Sequence, residues 1–420
     1  MFTRPRDLRD PVTIYLDGSE VTAERGEPLA AALLAADKTI LARSPKLHRP
    51  RSPSCFRGGC DGCLARVDGV PNVMTCQKPA KGGERIESQN VLGSRKADLL
   101  RVTDWFFAKG IDHHHLMAGV PGLQDVMLTF ARKVAGLGRM PTEVTPVRPA
   151  KRVNVDVAVV GGGVAGIAAA SKLGSLGLQT LLVDDGLALG GALAGAPSLL
   201  RDLLVACPLA KVEVSSKSVA AGRYEDDLLV ASGSGEAMIV KARATLFATG
   251  AHDGILVTAG NDLPGVISAR ALCRLLSLGL EPDGAVAIVG EGFWADELDR
   301  VLAALGKTPR VRVAADAIEH VKGTGGVKAI GVREGGKVKE RPVVALGVDL
   351  PGAPAFELPE QAGARTRFDP KLGYVVVTDE RGQAAEGVWA AGECTGKPFD
   401  PQVLRAEGER VAGAIAASLA

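Results

Sequence analysis

Hydrophobic and polar residues alternate near the start of the chain. Val12, Ile14 and Leu16 share one face of "VTIYLDG", which predicts a strand that ends in a turn. The next segment, "EPLAAALLAADK", predicts a helix with Pro28 near its start. Further along, "LARVDGV" indicates a strand and a hairpin turn at Asp68–Gly69. These elements, in this order, predict a small β-grasp module.

A second pattern begins after the turn-rich segment "MPTEVTPVRPA". The apolar run Val155–Val160 predicts a buried strand, an Ala-rich helix follows, and "LQTLLVDD" predicts the next strand. Short strands are expected at "KVEVSS", "DLLVAS" and "AMIVKA", and "ARATLFATGA" and "GVWAAGECTG" each predict a strand that runs into a glycine. This succession predicts an α/β fold.

Composition and charge narrow the function classes. Of the 420 residues, 46% are apolar and 23% are charged, which is typical of a globular protein of two or three domains. The net charge is +2, aromatic residues make up 4%, and there is no basic stripe, so a nucleic acid is not an expected ligand. The charged start "MFTRPRDLRD" lacks a secretory signal, and no apolar run reaches about 18 residues, so we expect a cytoplasmic chain without a membrane span.

Four of the seven cysteines lie close together, as Cys55-x4-Cys60-x2-Cys63-x12-Cys76. This spacing is that of plant-type [2Fe–2S] ligation, and the glycines between the ligands let the backbone approach a cluster. A zinc site would more often show two C-x2-C pairs, and cysteines buried only as small apolar side chains would not need this spacing. The pattern therefore predicts that these four cysteines bind one [2Fe–2S] cluster.

A dinucleotide fingerprint follows the strand Val155–Val160. Gly161 makes the tight turn, Gly163 lets a pyrophosphate approach the backbone, and Gly166 lets the helix pack on the strand. Asp184 and Asp185 end the next strand, where an acid binds ribose hydroxyls. Both are candidates, but only one can point inward, because neighbours on a strand face opposite ways.

Later segments indicate which dinucleotide is bound. A strand ending at Thr249 and Gly250, and a terminal strand ending at Gly392-Glu393, resemble the two-dinucleotide-domain flavoproteins. The resemblance implies FAD, with Glu393 at the ribityl chain, where most members have Asp. Gly190 and Gly191 resemble that family's glycine pair near the flavin, and their offset favours Asp185 as the ribose acid.

A second fingerprint reads Gly290-x-Gly292-x-x-Ala295, with a strand before it and a helix after it. Glu291 places a carboxylate where a pyrophosphate would lie, which is an electrostatic cost. Three possibilities stay open here: NAD(P), another adenine nucleotide, or a structural domain without a ligand.

Five stretches resemble the α-subunit of heterotetrameric sarcosine oxidase and its relatives, opine oxidase, hydrogen cyanide synthase and amino-acid dehydrogenase complexes. They are "SPKLHRPRSPS", "SQNVL", "ARKVAGLGRMP", "ATGAHDGILVTAGNDLPGVISA" and "AGECTG…RAEGERVAGAIAASL". In that family amine oxidation lies on a separate flavoprotein β-subunit, so the resemblance implies that this chain relays electrons. The chain stops at Ala420, so the family's folate-binding half is not expected.

The predicted architecture is a two-dinucleotide-binding-domain, Rossmann-like flavoprotein with an N-terminal β-grasp domain. A [2Fe–2S] ferredoxin-like domain is expected at 1–95, a helical connector at 96–150, and an FAD-binding domain at 151–270 and 345–420. A second, NAD-like nucleotide domain is expected at 271–344.

The predicted function is electron transfer within an amine or amino-acid dehydrogenase or oxidase complex, with a flavoprotein β-subunit as partner and an amine as substrate of the complex. No catalytic residue is assigned to this chain. The alternatives are a self-sufficient NAD(P)H-dependent acceptor reductase and a non-catalytic nucleotide-binding scaffold.

Overall fold

The structure, a computed structural model, describes residues 1–44, 48–91, 94–95, 98–99, 122–123, 125–126, 129, 148–233, 235–307 and 310–420. The helical connector predicted at 96–150 lies largely outside these residues. The chain divides into two compact units. The first contains the described residues of 1–145 with 256–290 and 299–348, and the second contains those of 146–255 with 291–298 and 349–420.

The first unit begins with a five-stranded sheet and one helix. The strand order is Ser19–Glu24, Pro11–Leu16, Arg85–Glu87, Leu64–Val67 and Val70–Met74. The helix Leu29–Ala35 starts after Pro28 and buries its leucines and alanines. The hairpin turn has φ of 51° at Asp68 and 79° at Gly69, the left-handed pair that a two-residue hairpin requires. The β-grasp prediction is confirmed.

The described rest of the first unit contains two larger sheets and two short pairs of strands. Its strands and helix are Val266–Ser268, Ala345–Asp349, Val286–Gly290 and Arg310–Val313 in one sheet, Ile318–Gly323, Val327–Glu334 and Lys337–Pro342 in another, the pairs Phe2–Thr3 with Glu281–Pro282 and Ala42–Arg43 with Pro50–Arg51, and the helix Ala269–Ser277. The helix Phe293–Ala304 has its first residues in the second unit and its remainder in the first.

The second unit is built on a parallel sheet. Its neighbouring strands are Glu213–Ser215, Thr180–Val183, Lys151–Val160, Ala237–Phe247 and Val388–Ala390. Such sheets are covered on both faces, which agrees with the complete burial of the residues around Val157–Val160 and Phe247. The fold is therefore the predicted α/β flavoprotein type.

Other elements of the second unit extend and cover this sheet. They are the strands Asp227–Ser232, Ser218–Tyr224 and Gln383–Ala385, the pairs Ala251–His252 with Ala353–Pro354 and Thr366–Asp369 with Gly373–Val376, and the helices Val164–Ser175, Pro197–Ala206, Glu357–Gln361 and Pro401–Leu419. A Cβ at Gly408 would lie 2.2 Å from the Ala165 carbonyl oxygen, so the first and last of these helices touch backbone to backbone.

Candidate cofactor sites

Three of the clustered cysteines, Cys55, Cys60 and Cys63, lie on one loop of the first unit, and Cys76 lies on the short 3-10 helix Thr75–Gln77 that follows the hairpin. Cys55, Cys63 and Cys76 are buried, Cys60 is half-buried, and all four are free thiols. The loop leaves no room for a larger residue at Gly62, because a Cβ there would lie 2.1 Å from the Ser52 carbonyl oxygen. The glycine that the sequence analysis linked to cluster wrapping is thus required by the fold itself.

The thiols are close enough to share protons. Hydrogen bonds from Cys60 and Cys76 lower the pKa of Cys55, and a hydrogen bond from Cys76 lowers the pKa of Cys63. The same contacts raise the pKa of Cys60 and Cys76. Four mostly buried sulfurs linked in this order, Cys60 to Cys55 to Cys76 to Cys63, are a donor set that fits a [2Fe–2S] cluster. In the described residues, no set of three or more His, Cys, Asp or Glu is arranged for a single metal ion.

The first dinucleotide fingerprint is held by two close backbone approaches in the second unit. Gly161 has φ of 106°, and a Cβ there would lie 2.2 Å from the Ala248 carbonyl oxygen. A Cβ at Gly166 would lie 1.8 Å from the Gly161 carbonyl oxygen. Both glycines therefore lie where a side chain would clash with the backbone, as the motif predicts for the tight turn and for helix packing.

Gly163 has a different role from its two neighbours in the motif. No atom lies within 4 Å of the place where its Cβ would be. It is also the N-cap residue of the helix Val164–Ser175, and no side chain caps that helix start. Free first-turn amides beside open space form a site for an anionic phosphate. The glycine pair closes over it, since Gly190 donates to the Gly162 carbonyl at 2.8 Å and Gly191 would place a Cβ 3.1 Å from the Gly163 Cα.

The structure turns Asp184, and not Asp185, toward the fingerprint loop. Asp184 is buried and accepts hydrogen bonds from the backbone N–H of Gly162 at 2.6 Å and of Gly186 at 2.9 Å. Burial raises the pKa of the Asp184 carboxyl, and these two hydrogen bonds oppose the rise. Asp185 is exposed. The acid that faces the loop is therefore Asp184 and not the favoured Asp185, because adjacent residues at the strand end face opposite ways, and the ribose role stays a prediction.

The two later segments come to the same place as the fingerprint. A Cβ at Gly392 would lie 3.2 Å from the Ala165 Cβ, and one at Gly250 would lie 3.9 Å from Oε2 of the buried Glu393. The structure thus brings the fingerprint, the "ATG" segment and the "AGE" segment together. Thr249 contributes by donating its hydroxyl to the Ala355 carbonyl at 2.6 Å.

Glu407 is a residue of this site that the sequence analysis missed. Its carboxylate is buried, accepts the Gly392 backbone N–H at 3.0 Å, and pairs with the Lys397 ammonium. The available signal was an acid inside the otherwise apolar face of the last helix, next to Gly408.

The second fingerprint differs from the first at its helix start. Asp349 Oδ2 accepts the Ala295 backbone N–H at 2.8 Å, and it lies 2.9 Å from where a Cβ of Gly292 would be. A carboxylate of the chain itself therefore takes the place that a pyrophosphate would need. Sequence reasoning identified the cost of Glu291 but missed Asp349, which ends a strand 54 residues after Ala295.

Comparison with known proteins agrees with this division into sites. A model of a "2Fe-2S iron-sulfur cluster binding domain" matches residues 9–91, and a model of "Pyridine nucleotide-disulphide oxidoreductase" matches residues 155–321. These matches identify an iron–sulfur flavoprotein of the oxidoreductase class. They confirm the predicted cofactors, a [2Fe–2S] cluster and FAD.

The chain is similar to sarcosine oxidase subunit alpha of Rhizobium meliloti, with 27% identity over 81% of this chain and 40% of that protein. A shorter match, 35% identical over 20% of this chain and 78% of the other, is to hydrogen cyanide synthase subunit HcnA of Pseudomonas aeruginosa. These matches confirm the predicted resemblance. The chain spans 40% or less of the curated sarcosine oxidase subunits that it matches.

Two solved structures share the fold. L-proline dehydrogenase from P. horikoshii gives a TM-score of 0.73 at 23% identity, covering 99% of this chain and 75% of the other. Thioredoxin reductase from Lactococcus lactis gives a TM-score of 0.50 at 19% identity, covering 63% of this chain and 99% of the other. Among the described residues, no helix has the length and apolar character needed to cross a membrane.

Proposed function

We propose that this chain is the electron-transfer subunit of an amine or amino-acid dehydrogenase or oxidase complex. The observation that carries the proposal is the presence, in one chain, of a four-thiol site and a dinucleotide cradle with an open, uncapped helix start. When bound, FAD supplies two-electron acceptance with one-electron release, and the cluster carries one electron at a time. The similarity to sarcosine oxidase subunit alpha supports a CH–NH donor.

The residues of the cradle have distinct tasks in this proposal. The open space at Gly163 admits the pyrophosphate, and the amides of the first helical turn donate to it. Asp184 is the acceptor for ribose hydroxyls, since it is the acid that faces the loop. Glu393 lies near Gly250, and in this proposal it contacts the ribityl chain, as the resemblance to flavoproteins implies.

Amine oxidation itself is proposed to lie on a partner flavoprotein subunit. His252 is the histidine that follows the "ATG" segment by two residues. Its ring is about half exposed, and its Nε2 lies 3.9 Å from Glu357 Oε1, which is too long for a hydrogen bond. An exposed histidine without a close partner is a poor group for positioning and deprotonating an amine.

The two alternatives are supported less well. A self-sufficient NAD(P)H reductase needs a second dinucleotide, and Asp349 stands against a pyrophosphate at the second fingerprint. A scaffold without cofactors would not need four contacting thiols. The proposed location is the cytoplasm, because the cysteine spacing fits a cluster site rather than the disulfide framework of a secreted protein.

The test is anaerobic mixing of the isolated chain, loaded with FAD and cluster, with sarcosine, proline and opine-type amines. We expect no reduction of the flavin or cluster absorbance, and we expect reduction once the co-purified partner subunit is added. Fast reduction by an amine without a partner would contradict the two-subunit proposal. Fast bleaching by NADH or NADPH alone would favour the reductase instead.

A further inference from the structure

Cys60 differs from the other three cysteines in its surroundings. It is the half-buried member of the set. Beside it lies a cavity of about 510 Å³ within the first unit, whose wall includes Ser54, Asp61 and Gly62 from the cysteine loop and Asn261 and Asp262 from the 256–290 segment. The half-buried cysteine is therefore a close neighbour in the chain of residues that line this cavity.

A fixed hydroxyl reaches this sulfur. Ser54 Oγ donates to Cys60 Sγ at 3.4 Å, within the range of a hydrogen bond to sulfur. Hydrogen bonds to cluster sulfurs are among the main determinants of cluster reduction potential. The reduced cluster carries one more negative charge, so a donor at a ligand sulfur stabilises the reduced form more than the oxidised form.

The position of Ser54 is set by a distant segment of the chain. Its carbonyl oxygen accepts the Ser268 backbone N–H at 3.1 Å. Ser268 is in turn the N-cap of the helix Ala269–Ser277, and its hydroxyl accepts the Ala271 N–H at 3.2 Å. The backbone of Ser54, and with it the hydroxyl that donates to Cys60, is therefore held by a helix start more than 200 residues away in sequence, as well as by its neighbours on the loop.

The cavity wall carries charges of both signs that pair with one another, whereas the Ser54 hydroxyl donates directly to the Cys60 sulfur. Arg49 lies 3.6 Å from Asp262, and Arg51 lies 3.4 Å from Asp61. Each of these two cations is thus paired with an anion on the same wall.

We propose that Ser54 is a positioning residue for the cluster: its hydroxyl, held in place by Ser268, donates to the Cys60 sulfur and raises the reduction potential of the [2Fe–2S] centre. The inference rests on Cys60 being a cluster ligand. It assigns a role in tuning electron transfer to the segment around Ser268, outside the β-grasp sheet.

The experiment is an anaerobic redox titration of the full chain with mediators, read by EPR of the reduced cluster. In Ser54→Ala we expect the ratio of reduced to oxidised cluster, at a fixed solution potential, to fall about tenfold. For a one-electron couple this is a fall of about 59 mV in midpoint potential. EPR detects only assembled clusters, so partial loading of the variant does not affect the reading.

Three controls isolate the hydroxyl. Ser54→Thr keeps a donor and is expected to titrate like the wild type, whereas Ser54→Val, of nearly the same volume, is expected to titrate like Ser54→Ala. Ser52→Ala removes a hydroxyl from the same cavity wall and is expected to leave the potential unchanged. If Ser54→Ala and Ser54→Val titrate like the wild type, the proposal is wrong. If the wild type shows no [2Fe–2S] signal, the cluster assignment is wrong, and the role of Ser54 is wrong with it.

Discussion

The two glycine fingerprints of this chain share a spacing and differ in electrostatics. At the first, Gly163 faces open space and no side chain caps the helix that follows. At the second, the Asp349 carboxylate accepts the Ala295 amide at the helix start. A helix N-terminus is favourable to one negative group, and in the second case the chain supplies that group itself.

These two fingerprints share a fold, so the glycine spacing predicts the strand–turn–helix unit better than it predicts a bound ligand. Both motifs follow a strand and open a helix, as predicted. Only the occupancy of the helix start distinguishes a cradle from a closed structural turn. We therefore propose that the first fingerprint binds FAD and that the second binds no pyrophosphate.

Gly163→Val should have the largest effect, the loss of bound flavin. The backbone at Gly163 has φ of −81°, which valine adopts readily, and a Cβ meets nothing within 4 Å, so only the ligand is obstructed. The measurement is flavin absorbance per chain. Iron content and far-UV circular dichroism should stay at wild-type values. Full flavin content in the variant would contradict the proposal that the pyrophosphate lies at Gly163.

Gly166→Ala gives the first fingerprint the residue type that the second carries at Ala295. Its Cβ would lie 1.8 Å from a carbonyl oxygen, so we expect a loss of about 1–3 kcal/mol in the free energy of unfolding of the flavin-free chain. Urea denaturation provides the measurement. In Gly413→Ala, another helical position where a Cβ meets nothing, stability should rise by up to about 1 kcal/mol. Equal effects at the two sites would argue against the tight helix–strand contact.

Asp349→Ala removes the side chain that caps the second fingerprint. We expect the helix Phe293–Ala304 to lose about 1 kcal/mol of local stability, measured by hydrogen exchange of its first-turn amides. Asp349→Asn keeps an acceptor oxygen and should lose less. Calorimetric titration with NADH should show no binding to the wild type. Tight NADH binding by the wild type would contradict the idea that Asp349 blocks the site.

Glu291→Gln should have the smallest effect. Glu291 is exposed, so its removal should change the free energy of unfolding by less than about 0.5 kcal/mol. It should also leave the second fingerprint unable to bind NADH, because Asp349 remains in place. NADH binding in this single variant would show that Glu291, rather than Asp349, is the obstacle.

Local sequence patterns predicted the parts of this protein that depend on neighbours in the chain. The strand Pro11–Leu16, the helix after Pro28 and the Asp68–Gly69 hairpin follow from periodicity, Pro placement and turn chemistry over a few residues. The positive φ at Gly161 and the close backbone approach at Gly166 are the features that the motif predicts, because both arise within one strand–turn–helix unit.

By itself, the sequence determined the α/β class, the β-grasp module, the [2Fe–2S] cluster and a dinucleotide fingerprint, since cysteine spacing and the strand–glycine–helix pattern are local properties; the choice of FAD followed from the resemblance to flavoproteins. Tertiary structure decided which residues complete each site. Asp184 rather than Asp185 faces the loop, Glu407 holds the Gly392 amide, and Asp349 closes the second helix start. Each of these contacts joins residues at least 15 positions apart, and such pairs are selected by sheet register and helix packing, which no short window of sequence contains.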